Sequence, residues 1–347
     1  MRFIHTGDFH IGASHPYAKA SKVMFQRALD MLEIIRSSDA EMVLLTGDLF
    51  DRDDVKVSTV DQFFNRLHDL EIPIFLILGN HDGFLRNQAY KRHLNHSNIY
   101  TFDKTTQKHT IGNVVVHGFN TYDFDKQTLH TLNKNLDKKK MNILCLHGDI
   151  LNTRDDHYLT SLNSLKAMDF DYVALGHIHK HTVYDENIVY SGNIEPLDFS
   201  ETEPKGFIQG DFKKPVAFAF HQNQRYHFIQ NTIDVSKGLD RAVQNYLNNH
   251  DGCERANTFH RLILKGQREF LIDINDAVFD GLKETFGYVE VIDETRPKFD
   301  DYAFLKKQYK GTIVETLIEI HEKETDEDAL TLALEALHET GEGFDDY

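Results

Sequence analysis

Residues 74–83 read Ile74-Phe75-Leu76-Ile77-Leu78-Gly79-Asn80-His81-Asp82-Gly83, an apolar run that stops at a glycine and meets a cluster of ligand-capable side chains. Such a run, bounded by turn residues, predicts a strand buried on both faces. Asn80 offers a neutral oxygen ligand. His81 can act as an acid or donate to a phosphate oxygen, and Asp82 can orient it or stabilise its charge. Read by itself, Asn-His-Asp-Gly is also an ordinary turn.

Working outward, the same arrangement recurs. Met42-Val43-Leu44-Leu45 leads into Thr46-Gly47-Asp48-Leu49-Phe50-Asp51, and Phe3-Ile4-His5 into Asp8-Phe9-His10. Ile143-Leu144-Cys145-Leu146 leads into His147-Gly148-Asp149, and Tyr172-Val173-Ala174-Leu175 into Gly176-His177-Ile178-His179. Val114-Val115-Val116 adds a further strand. Between the strands, Phe25, Ala28, Leu29 and Leu32 mark one helical face; Val60, Phe63, Phe64 and Leu67 mark another, with Ser58 as its expected N-cap. Strands alternating with helices predict an α/β layered domain, whose sites stand at the carboxyl ends of the strands.

The spacing carries chemistry. Two positions apart on an extended segment, Asp8 and His10 project the same way, and one cation can take both. His177 and His179 repeat that spacing. Asp48 presents a carboxylate at a strand end, though a turn Asp would look the same. Only two cysteines occur, Cys145 and Cys253, so neither a disulfide framework nor a four-thiolate zinc site is available. A metal site here must draw on His, Asp, Glu or Asn, and histidine is plentiful at 21 residues. Mixed O/N donors suit Mn²⁺, Fe or Zn²⁺ better than a soft ion.

The ordered set D-x-H, G-D-x-x-D, G-N-H-D, H-G and G-H-x-H over residues 1–200 resembles the calcineurin-like metallophosphoesterase superfamily. That resemblance implies a sandwich of two β-sheets flanked by helices. It also implies two divalent metal ions, and it favours Mn²⁺. One ion would be held by Asp8, His10, Asp48 and His179, the other by Asp48, Asn80, His147 and His177, with Asp48 bridging. His81 would be the catalytic histidine that binds no metal, with Asp82 beside it. Every one of these positions holds the residue type the superfamily expects.

The segment Tyr190-Ser191-Gly192-Asn193-Ile194-Glu195-Pro196-Leu197-Asp198-Phe199-Ser200-Glu201, continued by Glu203-Pro204-Lys205-Gly206-Phe207, is similar to SbcD-type DNA repair exonucleases and within them to the YhaO-like branch. Asn193 and Pro196 depart mildly from that pattern. The likeness implies a metal-dependent exonuclease or endonuclease acting on DNA in double-strand break repair, partnered by an SMC-type ATPase of the SbcC-like (YhaN-like) kind, and it admits a homodimer. The expected organisation is a nuclease domain over 1–232, a small α/β capping domain over 233–295, and a linker with an acidic amphipathic helical tail over 296–347. Two alternatives stand beside this reading: another metallophosphoesterase acting on cyclic nucleotides or phosphoproteins, and a subunit that mainly scaffolds an ATPase.

Charge bears on the substrate. Of the formal net charge of −17, −11 belongs to residues 315–347, which hold 12 Asp and Glu against one Lys. The body is only mildly acidic, and the tail's Val314, Leu317, Ile318 and Leu330, Leu334, Leu337 follow helical spacing, predicting two short amphipathic helices that need a surface. Thr325-Asp326-Glu327-Asp328 resembles a cap for the second. Candidate DNA contacts are Arg86, Lys91 and Arg92 after the G-N-H-D loop, with further basic runs at Lys134/Lys138-Lys139-Lys140 and Lys205/Lys213-Lys214. No apolar run approaches the roughly 18–20 residues of a membrane span, and the start of the chain does not read as a signal peptide. A soluble cytoplasmic protein is the expectation.

Overall fold

The computed structural model describes residues 1–13, 21–250, 257–268, 277–286, 288–297, 302–324 and 327–340. Cys253, Thr325 and Asp326 lie outside the described residues. The chain divides into two compact units, Met1–His227 and Phe228–Tyr347.

In the first unit β1 (Arg2–Thr6), β2 (Met42–Leu45), β3 (Ile74–Leu76) and β4 (Ile99–Thr101) run parallel. A second sheet holds β5 (Lys108–Ile111), β6 (Val114–Gly118), β7 (Met141–His147), β8 (Tyr172–Gly176), β9 (Thr182–Tyr184) and β10 (Ile188–Tyr190) in the order β5-β6-β7-β8-β10-β9. Strands β11 (Gly206–Asp211) and β12 (Ala217–Gln222) then return antiparallel to the edge of β1, giving β12-β11-β1-β2-β3-β4.

Strand alternation explains why the apolar runs are continuous. Ile4, Val43, Leu45, Ile74 and Leu76 face outward onto α1 (Ser21–Ser37) and α2 (Val57–His68). Their neighbours Phe3, Met42, Leu44, Phe75 and Ile77 face inward and meet Val114, Val116, Ile143, Cys145 and Ala174 of the other sheet. Beyond the short α3 (Lys91–Leu94), α4 (Lys126–Lys134) and α5 (Leu162–Lys166) bury Leu129 and Leu165 against Leu144, Leu146, Val173 and Leu175. Both sheets are thus covered on two faces, a helix–sheet–sheet–helix sandwich. One detail differs from the sequence reading. Helix α2 is capped by Lys56, which makes no side-chain hydrogen bond, so Ser58 lies within the first turn.

In the second unit β13 (His227–Asp234), β14 (Thr258–Lys265) and β16 (Tyr288–Asp293) form one sheet, and β15 (Gln267–Arg268) pairs with β17 (Arg296–Pro297). Helices α6 (Leu239–Asn249) and α7 (Asp280–Thr285) contribute Val243, Tyr246 and Leu282 to a core with Leu262 and Leu264. The tail has three described helices rather than two: α8 (Tyr302–Gln308), α9 (Ile313–Glu324) and α10 (Glu327–Thr340). Their stripes pack together through Leu305, Tyr309, Val314, Ile318, Leu330 and Leu334. Among the described residues no helix is long and apolar enough to cross a membrane.

Candidate metal centre

The loops that leave β1 and β2 run side by side. Asp8 N donates to Gly47 O at 2.9 Å, His10 N to Asp48 O at 3.0 Å and Ile11 N to Leu49 O at 2.9 Å. Phe9 and Phe50, the apolar residues inside D-x-H and G-D-x-x-D, both turn inward and meet Phe63 of α2 edge-on, with ring centroids 6.1 and 5.7 Å apart. Those anchors leave Asp8, His10, Asp48 and Asp51 on the opposite side.

The D-x-H segment is not extended, as its spacing had suggested. Strand β1 ends at Thr6, and Asp8 and His10 adopt φ of +51° and +43°. Asp48 at +49° and His177 at +97° are left-handed too. Side chains other than Gly occupy that region at a cost of about 1–3 kcal/mol each, and such residues cluster at functional sites. Gly47, at φ +91°, has the room its turn needs: a Cβ there would come 2.7 Å from Gly79 N and from the His147 ring.

Eight of the named residues converge. Asp8, His10 and His179 offer ligand atoms within 4.8 Å of one another, and so do Asp48, His147 and His177. These two groups share no residue. A third grouping, His10, Asp48 and His81, draws on both. Asp48 Oδ2 lies 3.2 Å from His147 Nε2 and 3.9 Å from His10 Nε2, between the two groups. Asn80 Oδ1 lies 3.0 Å from His147 Nε2. His10 Nε2 and His179 Nε2 face each other at 3.0 Å.

The outer ring nitrogens are already committed. His147 Nδ1 donates to Thr46 O at 2.7 Å, His10 Nδ1 lies 3.1 Å from Asp51 Oδ1, and His179 Nδ1 lies 2.5 Å from Glu201 Oε1. Each such partner fixes a tautomer that aims a lone pair from Nε2 into the centre. Glu201 is itself held by Asn193 Nδ2 at 2.7 Å, Leu197 N at 3.1 Å and Lys205 Nζ at 3.2 Å. Neutral imidazoles converging with carboxylates and an amide oxygen form a donor set that fits two divalent cations.

Without a cation, the carboxylates hold a proton on the facing imidazole, which a bound metal would displace. Burial raises the Asp48 carboxyl, but His147, His10 and the His81 N–H outweigh it and hold it below the ordinary carboxylate range. Burial depresses His147, while Asp48, Asp8 and the Thr46 carbonyl push it up to about 9. Burial opposes the Glu201 carboxylate, yet His179, Lys205 and Asn193 bring it down to about 2.

His81 N donates to Asp48 Oδ1 at 2.9 Å, and its Nδ1 donates to the Asp51 carbonyl at 2.6 Å. Asp82 does something other than orient that ring. It is fully buried and accepts from Gly79 N at 3.1 Å and from Leu49 N and Phe50 N at 3.2 Å, tying the loop after β3 to the loop after β2. Burial and the nearby Asp48 charge push its carboxyl up to about 6.

The basic residues are mostly paired. Arg86 lies 3.6 Å from Asp123, Arg92 2.7 Å from Asp61, and Lys91 stands exposed at the start of α3. Lys138, Lys213 and Lys214 pair with Asp169, Asp211 and Asp171. Lys205 is buried and donates to the His179 carbonyl at 3.0 Å, so it supports the centre instead of facing solvent. Sequence reasoning gave Asp51, Glu201 and Lys205 no role at the centre. The only available signal was their place within G-D-x-x-D and the 190–207 segment.

Residues 1–181 match the Calcineurin-like phosphoesterase family. This chain belongs to that family. The phosphoesterase is 24% identical to the SbcD component of the SbcCD nuclease of Staphylococcus epidermidis, over 90% of this chain and 93% of that protein. The likeness to SbcD-type nucleases read in residues 190–207 therefore extends along nearly the whole chain. The phosphoesterase also resembles a dimetal phosphatase from Danio rerio, at 12% identity and a TM-score of 0.44, over 60% of this chain and 92% of that one.

Proposed function

We propose that this phosphoesterase is a dimetal-dependent DNA nuclease that hydrolyses phosphodiester bonds. In this reading it is the nuclease subunit of an SbcC-like ATPase complex in double-strand break repair, working in the cytoplasm. The observation that carries the proposal is the likeness to the SbcD component of the SbcCD nuclease along both chains, including the segment that brings Glu201 and Lys205 to His179.

Asp8, His10, Asp48 and His179 would hold one cation, and Asp48, Asn80, His147 and His177 the other; Mn²⁺ is the proposed metal. Two such ions supply charge for the phosphate oxygens and acidify water near neutral pH. His81 supports the departure of the leaving group. Its Nδ1–H is committed to the Asp51 carbonyl, so Nε2 meets the phosphate or leaving oxygen, and it donates a proton there when the ring is doubly protonated. Asp82 holds the two loops in register, which fixes His81 relative to Asp48. Residues 233–295 serve as the cap, and 296–347 as the ATPase-docking segment, for which Ile313, Ile320 and Leu332 remain exposed beside the tail's own core. Arg86, Lys91 and Arg92 are the proposed DNA contacts.

The test is cleavage of labelled single-stranded and duplex DNA with defined ends, across a panel of divalent metals. Mn²⁺-dependent release of nucleotides or fragments supports the proposal. Efficient turnover of cyclic nucleotides or phosphopeptides, with DNA left intact, overturns it.

A further inference from the structure

The exposed apolar side chains of the first unit are unevenly placed. Among its described residues Val57, Tyr122, Leu151 and Val183 are the large ones left open to solvent. Val57 opens α2 after β2 and Leu151 follows β7, two of the strands that carry the centre, while Tyr122 follows β6, the parallel neighbour of β7. Charge there does not favour a polyanion: residues 51–56 and 149–156 hold six Asp against Arg52, Lys56 and Arg154. A nucleic acid gripped mainly through its phosphates would require the opposite balance.

Tyr122 is the aromatic member of this set. Its hydroxyl donates to the main-chain carbonyl of Asn80, which places the ring beside the centre. Gly83 makes the approach possible, since a Cβ there would stand 2.8 Å from that hydroxyl. Even so anchored, Tyr122 is 47% exposed. The Arg86 guanidinium lies 5.8 Å from the ring centroid, at the outer limit of a cation–π contact. Asp123 draws that guanidinium to 3.6 Å. An aromatic ring, fixed at its tip and flanked by a steered cation, suits a flat heterocycle attached to a phosphate.

We propose that Tyr122 is a stacking platform for the nucleobase next to the scissile phosphodiester, with Arg86 serving the adjoining phosphate. The proposal rests on the DNA nuclease reading and specifies how that site recognises its substrate. Every base has a π face, so the platform tolerates any sequence. It also lets an acidic surface hold a nucleic acid through contacts that salt does not screen.

The test compares single-stranded oligonucleotides that differ only in one nucleotide, which carries either a base or a tetrahydrofuran abasic residue, placed in turn on each side of the cleaved bond. The wild-type protein should show a KM about tenfold lower for the base-bearing strand at one of the two positions. In Tyr122→Ala that ratio should fall to about one while bound metal stays near normal. In Tyr122→Phe the ratio should persist, because the ring remains although the bond to Asn80 is lost. A ratio unchanged in Tyr122→Ala overturns the platform. So does equal metal loss in both variants with the ratio intact, which would make Tyr122 a strut for Asn80. If the wild-type protein hydrolyses bis(p-nitrophenyl) phosphate with metal but cuts neither oligonucleotide, the nuclease reading fails and takes the platform with it; the unchanged ratio sinks the platform alone.

Discussion

At the scale of single residues, the centre depends on groups that never touch the ions. Glu201 aims His179 through a 2.5 Å contact and is itself held by Asn193, Leu197 and Lys205. Glu201→Ala should therefore weaken metal binding about 10–100-fold, as read by metal titration, with the fold intact by circular dichroism. His81→Ala should lose about 10²–10⁴-fold in cleavage rate at near-normal metal content, whereas His177→Ala should lose metal. Equal loss of bound metal in both variants would refute that division of roles. The motif letters placed the ligand candidates but not their supports. Asp82 sits next to His81 in sequence, yet its carboxylate is spent on main-chain N–H groups 32 and 33 residues away, at Phe50 and Leu49. A contact of that kind depends on how two loops cross and leaves no trace in local spacing.

At the scale of elements, strands written as unbroken apolar runs were readable because both faces of each sheet are covered. Short elements were not, except β3, whose apolar run continues past its three paired residues. Helix α8 spans seven residues, too few for a helical period to stand out, and β4, β9 and β10 have three residues each. One tie between elements was also invisible beforehand. Arg27 of α1 reaches across to Glu195 at 2.5 Å, and Glu195 accepts from Arg225 N and Tyr226 N at 2.6 and 3.1 Å. Both side chains are buried; without Glu195, Arg27 keeps Asp30 at 2.8 Å and the Asn223 carbonyl but loses its buried partner, and two main-chain N–H groups lose their acceptor. Glu195→Ala should lower unfolding stability by about 3–5 kcal/mol, measured by chemical denaturation of the metal-free protein. A loss below about 1 kcal/mol would mean that water reaches Arg27 once its partner is gone.

At the scale of the whole molecule, the net charge says little about the metal face, because most of it lies in the tail. Proton balance is more informative. Burial lowers His5 to about 3 and His117 to about 4. Unfolding restores both to about 6.5. Above that pH both states are neutral at these positions and the stability is fully present. As pH falls below 6.5, the unfolded chain takes up protons that the folded one refuses. Stability should then drop by about 1.4 kcal/mol per pH unit for each histidine, levelling near pH 4 for His117 and near pH 3 for His5. Asp82, raised to about 6, works in the opposite direction below that pH, so the check is the denaturant midpoint of His117→Gln minus that of the parent at pH 7, 6 and 5 with a chelator, which should grow as pH falls.

The left-handed backbone at Asp8, His10, Asp48 and His177 has an engineering consequence. Glycine adopts such φ values without penalty, so the residues this chain keeps there are held against the conformational preference of the polypeptide. Heat resistance and catalysis then pull in opposite directions at the same positions. A His177→Gly protein should melt at a higher temperature than the parent when both are stripped of metal, since the backbone relaxes while its N–H can still bond to Asp8. With saturating divalent ions the order should invert, because only the parent gains the stabilisation that comes from binding them. Screening for thermostable variants without metal would thus enrich for dead enzymes.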